Sequence, residues 1–206
     1  MPTPPDRPLS EDQLDPDPLA QFRRWFEDAR AADSIDPEAM ALATATPDGS
    51  PSLRMVLLKI FDERGFAFFT NYASRKGGEL LANPRGALLF HWKPLGRQIR
   101  IEGAVGRVAR EETERYARSR TRGSQLSALI SPQSQVVPDR DWLESRVAEL
   151  AREHPKGELP VGDDWGGFRL VPDAYEFWQH GLDRLHDRFR YRPKHGGGWT
   201  VERLAP

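Results

Sequence analysis

Short apolar runs punctuated by tight turns predict a mainly β protein with helices, an α+β barrel or sandwich of antiparallel strands. Three observations carry that expectation. Turn signals at Pro47-Asp48-Gly49, Asp62-Glu63-Arg64-Gly65 and Lys93-Pro94-Leu95-Gly96 separate successive strand-like stretches. Those stretches follow one another with little helix between them, unlike the alternation of a parallel sheet. Residues 111–154 then switch to helical periodicity before strands return, so helices form an insert in the sheet.

The elements follow in chain order. Residues 1–16 hold five of the 18 prolines and several acids, and are expected to be a flexible lead-in to a single domain over 17–206. A helix should start at Asp17-Pro18, with Asp as cap and Pro in the first turn. Leu19, Phe22, Phe26 and Ala29 would face the core, with Arg23, Arg24, Glu27 and Arg30 in water. Met40–Thr46 and Ser50–Phe61 read as a hairpin, followed by a strand over Phe66–Thr70. A short helix over 75–82 stops at Asn83-Pro84, and strands follow over Gly86–Trp92 and Arg97–Ala109. The helical block should contain three pieces, the second capped by Ser124 and the third beginning near Asp139. In that third piece Leu143, Val147, Leu150 and Ala151 make an apolar stripe expected to be core. Strands return at Trp165–Val171, Glu176–His180, Arg188–Arg192 and Trp199–Leu204, the last two joined by the turn Lys194-His195-Gly196-Gly197-Gly198.

Composition narrows the function. The formal net charge is −1 although charged residues make up 30 %, which gives no pull toward nucleic acid or a membrane surface. Cysteine is absent, which removes disulfides, thiolate metal sites and thiol nucleophiles. The five histidines are scattered without metal-ligand spacing, so no metal is expected. No apolar run reaches membrane-spanning length and no signal-peptide core opens the chain, so a cytoplasmic protein is the expectation. Gly-x-Gly-x-x-Gly after a strand, a Walker loop and a Gly-x-Ser-x-Gly elbow are all missing, which argues against Rossmann, nucleotide-hydrolase and serine-hydrolase chemistry.

Four clusters carry chemical signal. The apolar run Met55–Leu58 is closed by Arg54 and Lys59, and Ser74-Arg75-Lys76 opens the helix at 75–82, a place where free N–H groups and cations suit a phosphate. Tyr116 and Arg120, four apart, with Ser124 beyond them, make a second candidate phosphate cradle. Gln133-Ser134 adds uncharged hydrogen-bonding groups. Arg184, His186 and Arg188 alternate, so an extended segment would point all three to one side near Trp178. Two phosphate-type cradles with aromatic groups nearby suggest two phosphorylated ring compounds held close together.

In these motifs the sequence resembles the pyridoxamine 5′-phosphate oxidase family. The likeness runs from about Asp17 to Pro206. It rests on Arg54-Met-Val-Leu-Leu-Lys59, Ser74-Arg75-Lys76, Asn83-Pro84-Arg85, Gln133-Ser134, Trp165-Gly166-Gly167-Phe168, Glu176-Phe177-Trp178, Arg184-Leu185-His186-Asp187-Arg188 and Glu202-Arg203-Leu204-Ala205-Pro206. The resemblance implies an FMN-binding split β-barrel with a helical insert, working as a homodimer with flavin at the interface. By motif, Arg54, Met55, Val56, Leu57, Leu58, Lys59, Phe69, Thr70, Ser74, Arg75, Lys76 and Gln98 would hold FMN from one subunit. Gln133, Ser134, Trp178 and Arg188 would reach it from the other. Lys59, Tyr116, Arg120 and Ser124 would grip the substrate phosphate, and Arg184 and His186 would face the pyridine ring as the catalytic pair. The implied reaction converts pyridoxamine or pyridoxine 5′-phosphate to pyridoxal 5′-phosphate, with O2 as acceptor. The opening stretch Met1–Pro8 has no Tyr, whereas family members often carry an Arg- and Tyr-bearing segment there that folds over the substrate. Two other readings compete: a related split-barrel oxidase such as those of phenazine biosynthesis, and a non-catalytic flavin-binding protein.

Overall fold

The computed structural model describes residues 8–32 and 35–206. Any substrate-covering role of residues 1–7 therefore falls outside the described residues. From Pro8 onward the expected lead-in is docked: Leu9 is buried, its N–H donates to Asp187 at 2.9 Å, and Arg203 Nε donates to Glu11 at 2.9 Å.

Helix α1 (Pro18–Ala31) starts where its signals lie, with the Asp17 carboxylate accepting from Leu19 N at 3.0 Å. Phe22, Phe26 and Ala29 are buried while Arg23, Arg24, Glu27 and Arg30 are exposed. Trp25 joins the buried face, and Leu19 is only half-buried. Phe22 is the hub of the core. It meets Phe61, Phe66 and Phe90 edge-on, with centroids 5.1, 4.8 and 5.1 Å away, geometry that adds to the burial of each ring.

Among the described residues nine strands follow one antiparallel scheme: β1 (Ala39–Ala45), β2 (Pro51–Leu57), β3 (Ile60–Asp62), β4 (Gly65–Asn71), β5 (Arg85–Trp92), β6 (Arg97–Arg107), β7 (Trp165–Gln179), β8 (Asp187–Pro193) and β9 (Trp199–Arg203). Their order is β2-β1-β5-β6-β7-β4-β3, with β8 and β9 added beside the second half of β7. The expected strand over Ser50–Phe61 is two strands with different partners. β2 pairs with β1, whereas β3 pairs with β4. At the joint, Leu58 N donates to Glu38 O and Lys59 N to Ala67 O, both at 2.9 Å. One continuous segment therefore sews the two ends of the sheet together and curls it into the split barrel.

The apolar run Met55–Leu58 falls mostly in β2, which alternates, with Ser52, Arg54 and Val56 turned inward and Leu53, Met55 and Leu57 exposed. One further strand expectation changes. The two strands expected over 165–180 are one, β7. Pro172-Asp173 looks like a break, but the ladder with β6 absorbs it as a bulge, Glu102 facing Ala174 and Gly103 facing Pro172. Gly103 permits this close approach, since a Cβ there would lie 2.0 Å from Val171 O.

The helical pieces are α2 (Arg75–Ala82), α3 (Arg110–Ser119), α4 (Arg122–Ile130) and α5 (Arg140–Glu153). Asp139 caps α5, accepting from Trp142 N at 2.7 Å. The cap of α4 is Thr121 rather than Ser124, which sits in the first turn with its hydroxyl against the Thr121 hydroxyl at 2.9 Å. The stripe expected to be core in α5 is not: no residue of α5 is buried, and Leu143, Val147, Leu150 and Ala151 are half-exposed. The packing of Phe22 predicts that Phe22→Ala lowers unfolding free energy by about 3–5 kcal/mol, read from the shift of the urea midpoint at constant slope.

Candidate active site

The turn from β4 into α2 builds the first half of the site. Ser74 caps α2, its hydroxyl accepting from Gly77 N at 3.3 Å and donating to Asn71 O at 2.6 Å. The turn is tight enough that a Cβ on Gly77 would lie 2.2 Å from Tyr72 O. This folding brings Lys76 back over the end of β4. Its Nζ donates to Gln133 Oε1 at 2.7 Å and to Thr70 Oγ1 at 3.1 Å, and the Thr70 hydroxyl also donates to Gln133 Oε1 at 2.9 Å. Burial lowers the Lys76 ammonium, and the Arg54 guanidinium lowers it further while Glu79 raises it. At the start of α2, these groups make a receptacle whose charge and donors suit an anion.

Beneath it lies Glu79, whose side chain is 5 % exposed. Its Oε1 accepts from Arg75 Nε at 2.9 Å, and its Oε2 from Arg54 Nη2 at 3.1 Å and from the Thr44 and Ser52 hydroxyls. Burial alone would raise this carboxyl, but the bonds from Ser52, Thr44, Arg75 and Arg54 outweigh it and bring it down to about 2. Arg54 spends its other donors inward on Leu42 O, Thr44 and Ser52, whereas the Arg75 side chain is 63 % exposed.

The receptacle opens into a cleft of about 800 Å³ between the barrel and the helical insert. Its barrel wall is Met55, Val56, Leu57, Lys59, Phe69, Thr70 and Lys76. The lining continues through Tyr116 and Arg120 of the helical insert, Trp165 at the start of β7 and Gln133 from the loop after α4. Tyr116 stacks on Phe69 with centroids 4.0 Å apart and lies nearly parallel to Trp165, and the Arg120 guanidinium sits 4.9 Å from the Trp165 ring centroid. Arg120 reaches this place from the extended residue that ends α3 rather than from the helix face assumed by the spacing. Burial pushes the Tyr116 phenol up, with Arg120 opposing, so the hydroxyl stays a donor. A wall of flat rings with cations at two places suits a planar ring bearing a phosphate ester.

The remaining expected residues lie elsewhere. Gln98, Trp178 and Arg188 face one another across β6, β7 and β8. His186 lies 4.5 Å from Trp178 between ring centroids, and its Nδ1 accepts from Gly181 N at 3.2 Å. The expectation that Arg184, His186 and Arg188 alternate along an extended segment fails. Leu182–Arg184 is a 3₁₀ turn in which Asp183 and Arg184 take positive φ of 50° and 64°. Arg188 alone lies in β8, and it is neutralised by Glu176 at 2.8 Å. Gln133, expected to act on a second subunit's ligand, here contacts Lys76 of its own chain because the loop after α4 folds back onto the end of β4. Leu58, Ser74, Arg54, Arg75, Ser124 and Ser134 do not line the cleft.

Several lining residues escaped sequence reasoning. Trp165 stood in a motif used for resemblance but was given no role. Arg140, Leu143, Glu144, Val147 and Ala148 of α5 face the cleft; of these, Leu143 and Val147 belong to the stripe whose spacing suggests core.

The fold defines a split-barrel protein, with the cleft lying between its barrel and its helical insert. The family model described as pyridoxamine 5′-phosphate oxidase matches residues 26–153, and that of the pyridoxine 5′-phosphate oxidase C-terminal dimerisation region matches 165–206. The chain is 54 % identical to a pyridoxine/pyridoxamine 5′-phosphate oxidase of Rubrobacter xylanophilus, over 96 % of this chain and 91 % of that one. It is 53 % identical to the protein of the same name from Cupriavidus taiwanensis, over 96 % and 93 %. Among solved structures, PhzG of Burkholderia lata 383, crystallised with tetrahydrophenazine-1-carboxylic acid, superposes with a TM-score of 0.90 at 33 % identity, over 98 % of this chain and 99 % of that one. The chain belongs to the pyridoxine/pyridoxamine 5′-phosphate oxidase family.

The Glu79 cluster sets a pH dependence. The folded carboxyl titrates near 2 and the unfolded one near 4.5, so its stabilisation is whole above pH 4.5 and is lost as pH falls towards 2. At 1.36 kcal/mol per unit the contribution is about 3 kcal/mol. Glu79→Gln is expected to be less stable than the parent at pH 6–7, with the gap closing as unfolding is followed down to about pH 2.

Proposed function

We propose that this protein oxidises pyridoxamine 5′-phosphate and pyridoxine 5′-phosphate to pyridoxal 5′-phosphate, using FMN and O2. The amine, with O2 and water, gives the aldehyde, ammonia and hydrogen peroxide; the alcohol with O2 gives the aldehyde and hydrogen peroxide. The observation that carries this reading is a single cleft lined by cations at more than one place: Lys76, which donates to Thr70 and Gln133, and Arg120 beside Tyr116, with Lys59 also on the lining. One set suits the FMN phosphate and the other that of the substrate.

The residues present fit FMN. Arg75 turns an exposed guanidinium outward at the start of α2, Lys76 stands beside it, and the apolar edge of β2 with Phe69 offers a surface for a flat ring. When bound, FMN supplies the two-electron redox chemistry that no side chain here can perform. The protein's part is placement. Arg120, held on the face of Trp165, and Lys59 fix the substrate phosphate, and the protonated Tyr116 phenol donates to it. The stacked Phe69, Tyr116 and Trp165 form a wall that excludes water from one side.

Arg184, His186, Trp178 and Arg188 complete the site in this reading from a second copy, as a homodimer. Two observations support that. The outward face of β2 leaves Leu53, Met55 and Leu57 at 68, 64 and 45 % exposure, and Met55 and Leu57 border the cleft. Leu182 and Leu185, beside the His186 cluster, are also largely exposed. Surfaces of this kind are normally covered. Arg184 and His186 then face the pyridine ring and orient it.

Anaerobic mixing of the flavin-loaded protein with pyridoxamine 5′-phosphate, then separately with pyridoxine 5′-phosphate, is expected to bleach the flavin absorbance. No bleaching with either compound would end the oxidase reading. Arg120→Ala is expected to raise KM for pyridoxamine 5′-phosphate by about 10- to 100-fold, the worth of a charge-assisted hydrogen bond, while FMN retention through gel filtration changes little. Equal losses of both would show that the two phosphate sites are wrongly assigned.

A further inference from the structure

Cations gathered to receive a phosphate repel one another until it arrives. In this chain two of the three cations around the start of α2, Arg54 from β2 and Arg75, are already paired with a carboxylate. Glu79 accepts from Arg75 Nε at 2.9 Å and from Arg54 Nη2 at 3.1 Å, from a position almost closed to solvent. We propose that Glu79 is a resident counter-anion of the phosphate receptacle, holding Arg54 and Arg75 in the absence of cofactor and keeping FMN affinity below what the bare cations would give. This inference rests on the FMN reading above.

Charge balance supports it. Arg54, Arg75 and Lys76 carry three positive charges and Glu79 removes one, leaving a surplus of two beside a phosphate monoester that carries nearly two negative charges at neutral pH. The groups form one electrostatic unit. The Lys76 ammonium is lowered by burial and then by Arg54, and is raised by Glu79. The Thr44 and Ser52 hydroxyls on Oε2 hold the carboxylate at a fixed place between β1, β2 and α2. The aliphatic neighbours of α2 cannot play this part: Leu80 is buried in the core and Leu81 is half exposed.

A bland alternative exists. Glu79 could be a structural clasp between the sheet and α2, stabilising the fold without regard to phosphate. The two roles separate on ligand dependence. Loss of a clasp lowers stability equally with and without a phosphate ester. Loss of a counter-anion lowers it most when the receptacle is empty, and an added anion restores it. Glu79→Gln suits the test because it removes the charge while keeping an oxygen that can accept from a guanidinium.

Thermal melts of full-length cofactor-stripped protein, alone and with inorganic phosphate, FMN or riboflavin, decide the matter. For Glu79→Gln we expect a lower Tm without ligand and a larger rise with inorganic phosphate than the parent shows. We also expect an FMN Kd about tenfold smaller, with riboflavin, which lacks the phosphate, bound as before. An FMN Kd that is unchanged or larger, or equal protection of both proteins by phosphate, overturns the inference. If Glu79→Gln does not fold, Glu79→Asp, whose carboxylate is withdrawn by one methylene, should shift the same quantities less and in the same direction; a shift the other way overturns it. A parent protein that binds FMN no better than riboflavin would instead overturn the cofactor reading itself, which separates the two failures.

Discussion

The change of partner at Leu58–Lys59 is the constraint on which the rest of the molecule depends. Two successive backbone N–H groups, 58 and 59, donate to different walls of the barrel, Glu38 O and Ala67 O. A segment that pairs first with β1 and then with β4 must bend, and the bend decides what each side chain meets. Before it, Ser52 and Arg54 turn inward to Glu79 while Met55 and Leu57 turn to the cleft. After it, Phe61 enters the aromatic cluster around Phe22. Core packing and site geometry are thus coupled through about a dozen residues. A one-residue slip of β2 against β1 would exchange Arg54 with Met55 and destroy both.

Turns and helix starts were legible because their signals are local. Pro47-Asp48-Gly49, Asp17-Pro18, Asp139 and the glycines after Lys194 act within a few residues, and the structure places caps and turns there. What escaped were features decided by distant partners. Nothing near Leu58 marks a bend, because the cause is two acceptors on separate strands. Pro172-Asp173 looked like a strand end, yet β6 opposite carries a glycine that lets the ladder continue through a bulge. The α5 stripe has core spacing, and spacing cannot distinguish burial in a core from facing a cleft.

The candidate site divides in the same way. The cations near Ser74 and the Tyr116–Arg120 pair stand out in the sequence, and the structure brings Lys76, Lys59, Tyr116 and Arg120 into one cleft. The alternation at 184–188 was misleading. It assumed an extended backbone, and residues 182–184 form a turn with two consecutive left-handed conformations. The supposed stack of three cations is instead relieved locally, by Glu176 against Arg188 and by the imidazole of His186 accepting a backbone N–H.

The likeness to PhzG at 33 % identity and the likeness to oxidases at 54 % identity pull the assignment of this site apart, since PhzG was crystallised with tetrahydrophenazine-1-carboxylic acid, which bears a carboxylate rather than a phosphate. A carboxylate can be satisfied by one guanidinium, whereas this cleft is lined by Arg120 beside a protonated Tyr116, by Lys59 and by Lys76. Burial already penalises Arg120 as well as Lys76. Keeping cations under that penalty at two places makes physical sense where two strongly charged groups arrive, and little sense where one weakly charged ring does.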